Sequence, residues 1–101
     1  MSNVLRWPSK DPDEVLPYEL DWTARLDGDT IATSSWEITG VTDGSLQIMV
    51  SPSAHHTDTL AVVWLSGGTT GKNYRVTNTI TLTTQNQAVM QQSVILTIAD
   101  R

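Results

Sequence analysis

Along residues 16–27 the chain alternates without a break. Leu16, Tyr18, Leu20, Trp22, Ala24 and Leu26 occupy the even positions, and Pro17, Glu19, Asp21, Thr23, Arg25 and Asp27 the odd ones. A two-residue period sends successive side chains to opposite faces of a pleated backbone, so this run predicts one long strand with a dry face and a wet face. Pro17 has no amide proton to give a neighbour, which puts the start of that strand at an edge or a bulge.

The pattern then repeats between turn signals. Asp27-Gly28-Asp29 predicts a turn, and residues 31–38 a second strand carrying Trp36. Gly40 and Asp43-Gly44 punctuate it, and Leu46-Gln47-Ile48-Met49-Val50 is a short third strand. Residues 51–58 read as a polar loop with Pro52, His55 and His56. Residues 59–65 are almost continuously apolar, as expected of a central strand covered on at least one face. A glycine-rich turn fills 66–73. Tyr74, Val76, Asn78, Ile80 and Leu82 share the next inward row, 84–87 is a loop, and the last strand runs over 88–98 with Val94, Leu96 and Ile98 inward. No segment sustains helical spacing.

Six or seven strands at this spacing, separated by turns, predict an all-β fold, an immunoglobulin-like β-sandwich of about seven strands. Trp36 sits where such domains often place a core indole. Tyr74, opening a strand just after a glycine turn, sits where a tyrosine corner would bond its hydroxyl back to the backbone. Both also read as ordinary core aromatics. Residues 1–15 lack the alternation and contain Trp7-Pro8 and Asp11-Pro12, each of which biases the preceding residue away from helix. The expected organisation is therefore an extended N-terminal arm over 1–15 and a single sandwich domain over 16–101.

Composition narrows the function. The 101 residues suffice for one core, and the absence of cysteine leaves two sheets to be held by packing alone. The net charge of −5 is concentrated early: Asp11, Asp13, Glu14, Glu19, Asp21, Asp27, Asp29, Glu37 and Asp43 face only Arg6, Lys10 and Arg25 in the first fifty residues. An acidic chain with no basic stripe argues against nucleic acid as a partner, because phosphate neutralisation supplies most of that affinity. No run is long and apolar enough to span a bilayer, and no signal peptide is evident at the N-terminus, so neither membrane nor secretion is expected.

Catalytic and cofactor chemistry find little support. Residues 66–73, Ser-Gly-Gly-Thr-Thr-Gly-Lys-Asn, approach a phosphate-binding loop but have Ser66 for its first glycine and Asn73 for its hydroxyl. From Tyr74 onward the chain alternates like a strand rather than opening a helix. We read 66–73 as a strand-to-strand turn. His55 and His56 are adjacent, so in an extended segment they diverge and do not chelate one ion. The acids at 11–14 and at 27 and 29 could supply oxygen ligands to calcium but lack EF-hand spacing. No catalytic residue, metal ligand or cofactor is assigned. Trp7 stands outside the alternation, and an indole there either folds back onto the sandwich or anchors a partner.

Several separated motifs, in order, carry a family resemblance: Lys10-Asp11-Pro12-Asp13-Glu14; Tyr18 with Asp21-Trp22; Gly28-Asp29-Thr30-Ile31-Ala32-Thr33-Ser34 leading to Trp36; and Val63-Trp64-Leu65-Ser66-Gly67-Gly68-Thr69 with Gly71 and Tyr74. Over roughly residues 7–82 the chain resembles small virion proteins of tailed phages and prophages, of the fibre-to-tail adaptor kind, encoded near head–tail genes. The resemblance implies a non-enzymatic structural subunit, tail-associated or joining tail to fibre, made in the host cytoplasm and ending in the virion. Its partners would be other tail or fibre subunits, with homo-oligomerisation left open.

Such a protein works by presenting surfaces. Trp7, Lys10, Asp11, Asp13 and Glu14 are the expected partner-binding residues, and an open edge strand could pair with another chain. The alternative is an immunoglobulin-like module for surface carbohydrate or a host receptor.

Overall fold

The computed structural model describes residues 5–39, 44–50, 53–84 and 88–99. The expected punctuation at Gly40 and Asp43, Pro52, and the loop residues Gln85, Asn86 and Gln87 lie outside them.

Two sheets build the molecule. One has the order β1-β8-β7-β3, from β1 (Leu5–Arg6), β8 (Val89–Thr97), β7 (Asn73–Leu82) and β3 (Ile31–Thr39). The other has the order β2-β6-β4, from β2 (Leu16–Asp21), β6 (Leu60–Gly67) and β4 (Leu46–Ile48), and β5 (His55–His56) also pairs with β6. Glu19 and His55 both pair with Val62, so β2 and β5 flank β6 on opposite sides. The fold is thus the expected all-β sandwich. Its order β3-β7-β8 opposite β2-β6-β4 is compatible with an immunoglobulin-like Greek key, in which strands C, F and G face B, E and D.

The core follows from the alternation. Inward residues of both sheets meet in two contiguous clusters. In one, Tyr18, Leu46, Val63 and Leu65 pack against Tyr74, Val76, Leu96 and Ile98. In the other, Leu20, Trp22, Leu26 and Ala61 pack against Ile31, Ile80, Leu82 and Val94. Trp7 and Trp36 touch both clusters.

Three expectations need correction. The alternation over 16–26 is a strand only to Asp21, and Thr23–Leu26 is a four-residue helix, α1. Trp22 and Leu26, four apart, satisfy both a two-residue and a helical period, and both are 2 % exposed. Ala24, which only the strand reading would bury, is exposed. Second, His55 and His56 form a short strand rather than lying in a loop. Third, the deepest indole is that of Trp22, while Trp36 is half-buried.

The turn after α1 is set by Asp27 and Gly28, with φ of 50° and 89°. Asp is among the few residues with a side chain that visit this left-handed region routinely. Asp29 then pins the far end of β7: its carboxylate accepts from the Thr84 amide at 3.1 Å and the Thr84 hydroxyl at 2.7 Å.

Candidate functional site

The lead-in is stitched into the sandwich. Leu5 and Arg6 pair in parallel with Val94 and Ile95, the Trp7 amide donates to the Ile95 carbonyl, and the Lys10 amide donates to that of Thr97. The segment therefore runs along the edge of β8. From there the Trp7 indole reaches the other sheet. It stacks on Tyr18 with ring centroids 4.6 Å apart, and its Nε1 donates to the Glu19 carbonyl at 3.3 Å. Trp36 lies 6.0 Å away across the core. Trp7 thus closes the seam between β8 and β2.

Lys10 anchors the next turn. Its side chain is 0 % exposed, and Nζ donates to the carbonyl oxygens of Gly67 at 2.7 Å and Asp11 at 2.9 Å. Burial draws its pKa below the ordinary lysine value, opposed by the nearby carboxylates of Glu14, Asp11 and Asp13.

Beyond Lys10, residues 11–14 form a self-capped turn. The Glu14 amide donates to the Asp11 carbonyl, Glu14 Oε1 accepts from the Asp11 amide at 2.9 Å, and Asp11 Oδ1 accepts from the Asp13 amide at 2.8 Å. Asp13 is exposed, and Asp11 and Glu14 are half-buried.

Gly67, which receives Lys10, ends β6 at the corner with β7, and the connection expected over 66–73 is narrower, residues 68–72. Gly67 has φ of 75°, and a Cβ there would run into the Ser45 carbonyl oxygen, a clash with backbone that only glycine avoids. Tyr74 completes the corner. It is fully buried, its hydroxyl accepts from the Thr69 amide at 2.9 Å, and it lies 2.8 Å from Ser45 Oγ. This is the geometry of a tyrosine corner, a hydroxyl returning to backbone a few residues upstream.

The five predicted partner-binding residues divide their work in the structure. Trp7 and Lys10 are engaged with β2, β8 and Gly67, whereas Asp11, Asp13 and Glu14 form the outward turn. Sequence reasoning missed Ser45, whose hydroxyl serves both Tyr74 and Thr69, and a lone serine beside a glycine gives no signal for that role. It also missed the polar link that Asn78 makes between Trp22 and Ser34.

His55 and His56 pair with successive residues of β6, one exposed and the other half-buried, so the imidazoles lie on different faces. Among the described residues, no group of three histidine, cysteine or carboxylate side chains could hold a metal ion. Also among them, no helix is long and apolar enough to cross a membrane.

Two of the motif groups behind the family resemblance meet here: the 10–14 turn and the 66–71 corner with Tyr74 form one joint. No curated protein matches the chain. Residues 10–97 match the family described as podophage GP4 fiber-tail adaptor protein gp77, and the match begins at the buried lysine of this joint. The chain belongs to that family of phage fibre-to-tail adaptor structural proteins.

Proposed function

We propose that this protein is a non-enzymatic structural subunit of a tailed-phage particle, placed between fibre and tail, made in the host cytoplasm and functional in the virion. One observation carries the reading. Lys10 and Tyr74, two residues of the motifs behind the resemblance, are engaged in building the fold: Lys10 binds the Gly67 carbonyl and Tyr74 the Thr69 amide. Motif residues engaged in architecture leave the work of the protein to its surfaces.

Within that reading, the lead-in is a braced docking element. Trp7 and Lys10 fix its position against both sheets, and Asp11, Asp13 and Glu14 present a compact negative turn to a neighbouring tail or fibre subunit. A pre-ordered turn loses little entropy on docking. Many copies on a symmetric particle would add avidity to a weak single contact.

The test is cross-linking of the tagged protein within purified particles, with the linked peptides read by mass spectrometry. Links from the 10–14 turn to tail or fibre subunits are expected, and Asp13→Lys should weaken them severalfold without altering the melting temperature. Absence of the protein from particles would overturn the adaptor reading. A module for surface carbohydrate or a host receptor would then be examined with a glycan panel.

A further inference from the structure

β6 is apolar on both faces. Ala61, Val63 and Leu65 point into the core, each 0 % exposed, while Leu60, Val62 and Trp64 point outward and are partly exposed. That is the composition of a strand covered on both sides. Among the described residues, however, the outward row stays partly exposed along its length.

The neighbouring strands widen the patch. Pro17 sits beside Trp64 on β2, and on the other side Met49 donates its amide to the Trp64 carbonyl at 2.9 Å. The rim is acidic: Glu19 lies directly opposite Val62, Asp21 opposite Leu60, and both are exposed.

The other outer face differs. Besides Val89, Ile95 and the charged Glu37 and Arg75, its rows carry hydroxyls and amides, several of which bond one another. Thr33 meets Thr81 at 2.6 Å, Thr77 meets Ser93 at 2.8 Å, and Gln91 donates to Thr79 at 3.1 Å. Such a polar and charged face gains little by being covered.

Resting on the adaptor reading, we infer that the outer face of β2-β6-β4 is a docking surface for a different virion subunit. That subunit presents an aliphatic or aromatic centre against Val62 and Trp64, with Lys or Arg beside it to meet Glu19 and Asp21. Charge decides against a second copy. Stacking two of these faces would bring the acidic rims of two chains together, each of net charge −5. Trp64 has the character of an interface anchor: a large indole at the centre of an apolar patch with a charged rim.

The test is incorporation into particles produced without the endogenous protein, supplied in trans with wild-type chain or variants and quantified by mass spectrometry. Val62→Arg and Trp64→Thr should each lower incorporation by at least about tenfold, as loss of an anchor does. Glu19→Lys, a fully outward change, should lower it severalfold. Gln91→Arg on the opposite face should leave it unchanged. Melting temperatures of the isolated variants distinguish lost docking from lost folding, and Glu19→Lys keeps the test valid should either core-adjacent variant fail to fold.

Normal incorporation of Val62→Arg and Glu19→Lys would overturn this surface while leaving the adaptor reading intact. Failure of the wild-type chain to enter particles would overturn the adaptor reading itself. A wild-type dimer in solution that Val62→Arg dissociates would assign the face to a second copy and overturn the charge argument.

Discussion

Asn78 occupies a position that its row reserves for a hydrocarbon. It lies between Val76 and Ile80 on the inward face of β7 and is 0 % exposed, yet no part of its amide is wasted. Oδ1 accepts from Trp22 Nε1 at 2.9 Å, and Nδ2 donates to Ser34 Oγ at 2.9 Å and to the Ser35 carbonyl at 2.8 Å. One side chain therefore ties the end of β2 to β7 and β3 across the core. A buried polar group of this kind stabilises only while all its partners are present.

Asn78→Ala should cost about 3 kcal/mol, because it leaves the buried Trp22 N–H unpaired and opens a cavity beside it. Urea denaturation measures this, and a loss below about 1 kcal/mol would refute the linking role. The link explains why the indole expectation fell on the wrong residue. Trp22 has an acceptor within the core, so its whole ring can be buried. Trp36 is half-buried, and its buried Nε1 has no acceptor among the described residues. Position along the chain suggested Trp36, but the acceptor that satisfies the buried Trp22 N–H is 56 residues away in sequence. Tyr74 was easier to read, because its partner at Thr69 lies within the same glycine turn.

At the scale of elements, the instructive case is the change from β2 to α1. Period-two alternation cannot tell a strand from a single helical turn when the decisive pair is four residues apart, and Trp22 with Leu26 is such a pair. The signal that ends the strand is Asp21. Its Oδ1 accepts from both the Thr23 amide, at 2.9 Å, and the Thr23 hydroxyl, a local turn that competes with the strand ladder. These hydrogen bonds hold its carboxyl below the ordinary aspartate value.

A carboxyl whose folded pKa is depressed binds protons more readily in the unfolded chain. Its contribution is therefore present above the unfolded value of about 3.9 and is lost as pH falls through the folded one. Asp21→Asn should lower stability at neutral pH and flatten the dependence of stability on pH below about 4. Equal acid slopes for the variant and the wild-type chain would contradict that role for Asp21. β6 shows the opposite situation. Its continuous apolar run was legible as a central strand, but sequence alone could not say that Leu60, Val62 and Trp64 on its outer face stay partly exposed.

At the scale of the whole molecule, the sandwich has seams as well as faces, and a seam is invisible to periodicity. Residues 5–10 close the one between β8 and β2, and they do so through contacts with partners more than ten residues away or at the far end of the chain: Glu19, Gly67, Ile95 and Thr97. Nothing in the local sequence marks Lys10 as buried. A lysine beside three acids reads as a solvated turn, and it takes the Gly67 carbonyl, brought up by a corner 57 residues on, together with the Asp11 carbonyl to make its burial tolerable. The candidate site was therefore legible as a group of residues but not in its division between brace and surface.

If the lead-in braces the sandwich, its loss is felt by the whole fold. Removing residues 1–10 strips the Trp7 ring from both core clusters and uncovers the edge of β8 from Val94 onward. It also leaves the Gly67 carbonyl without its lysine. A bare apolar edge is moreover a template for association. The truncated chain should lose at least about 3 kcal/mol, of which Trp7→Ala alone should account for about 2 kcal/mol given its partial burial. It should also self-associate at concentrations where the full chain does not. Denaturation monitored by tryptophan fluorescence and by circular dichroism, with sedimentation for the association state, measures both effects. An unchanged transition in the truncated chain would mean that the segment merely lies on the sandwich. The acidic turn at 11–14 would then lack the rigid support on which its docking role depends.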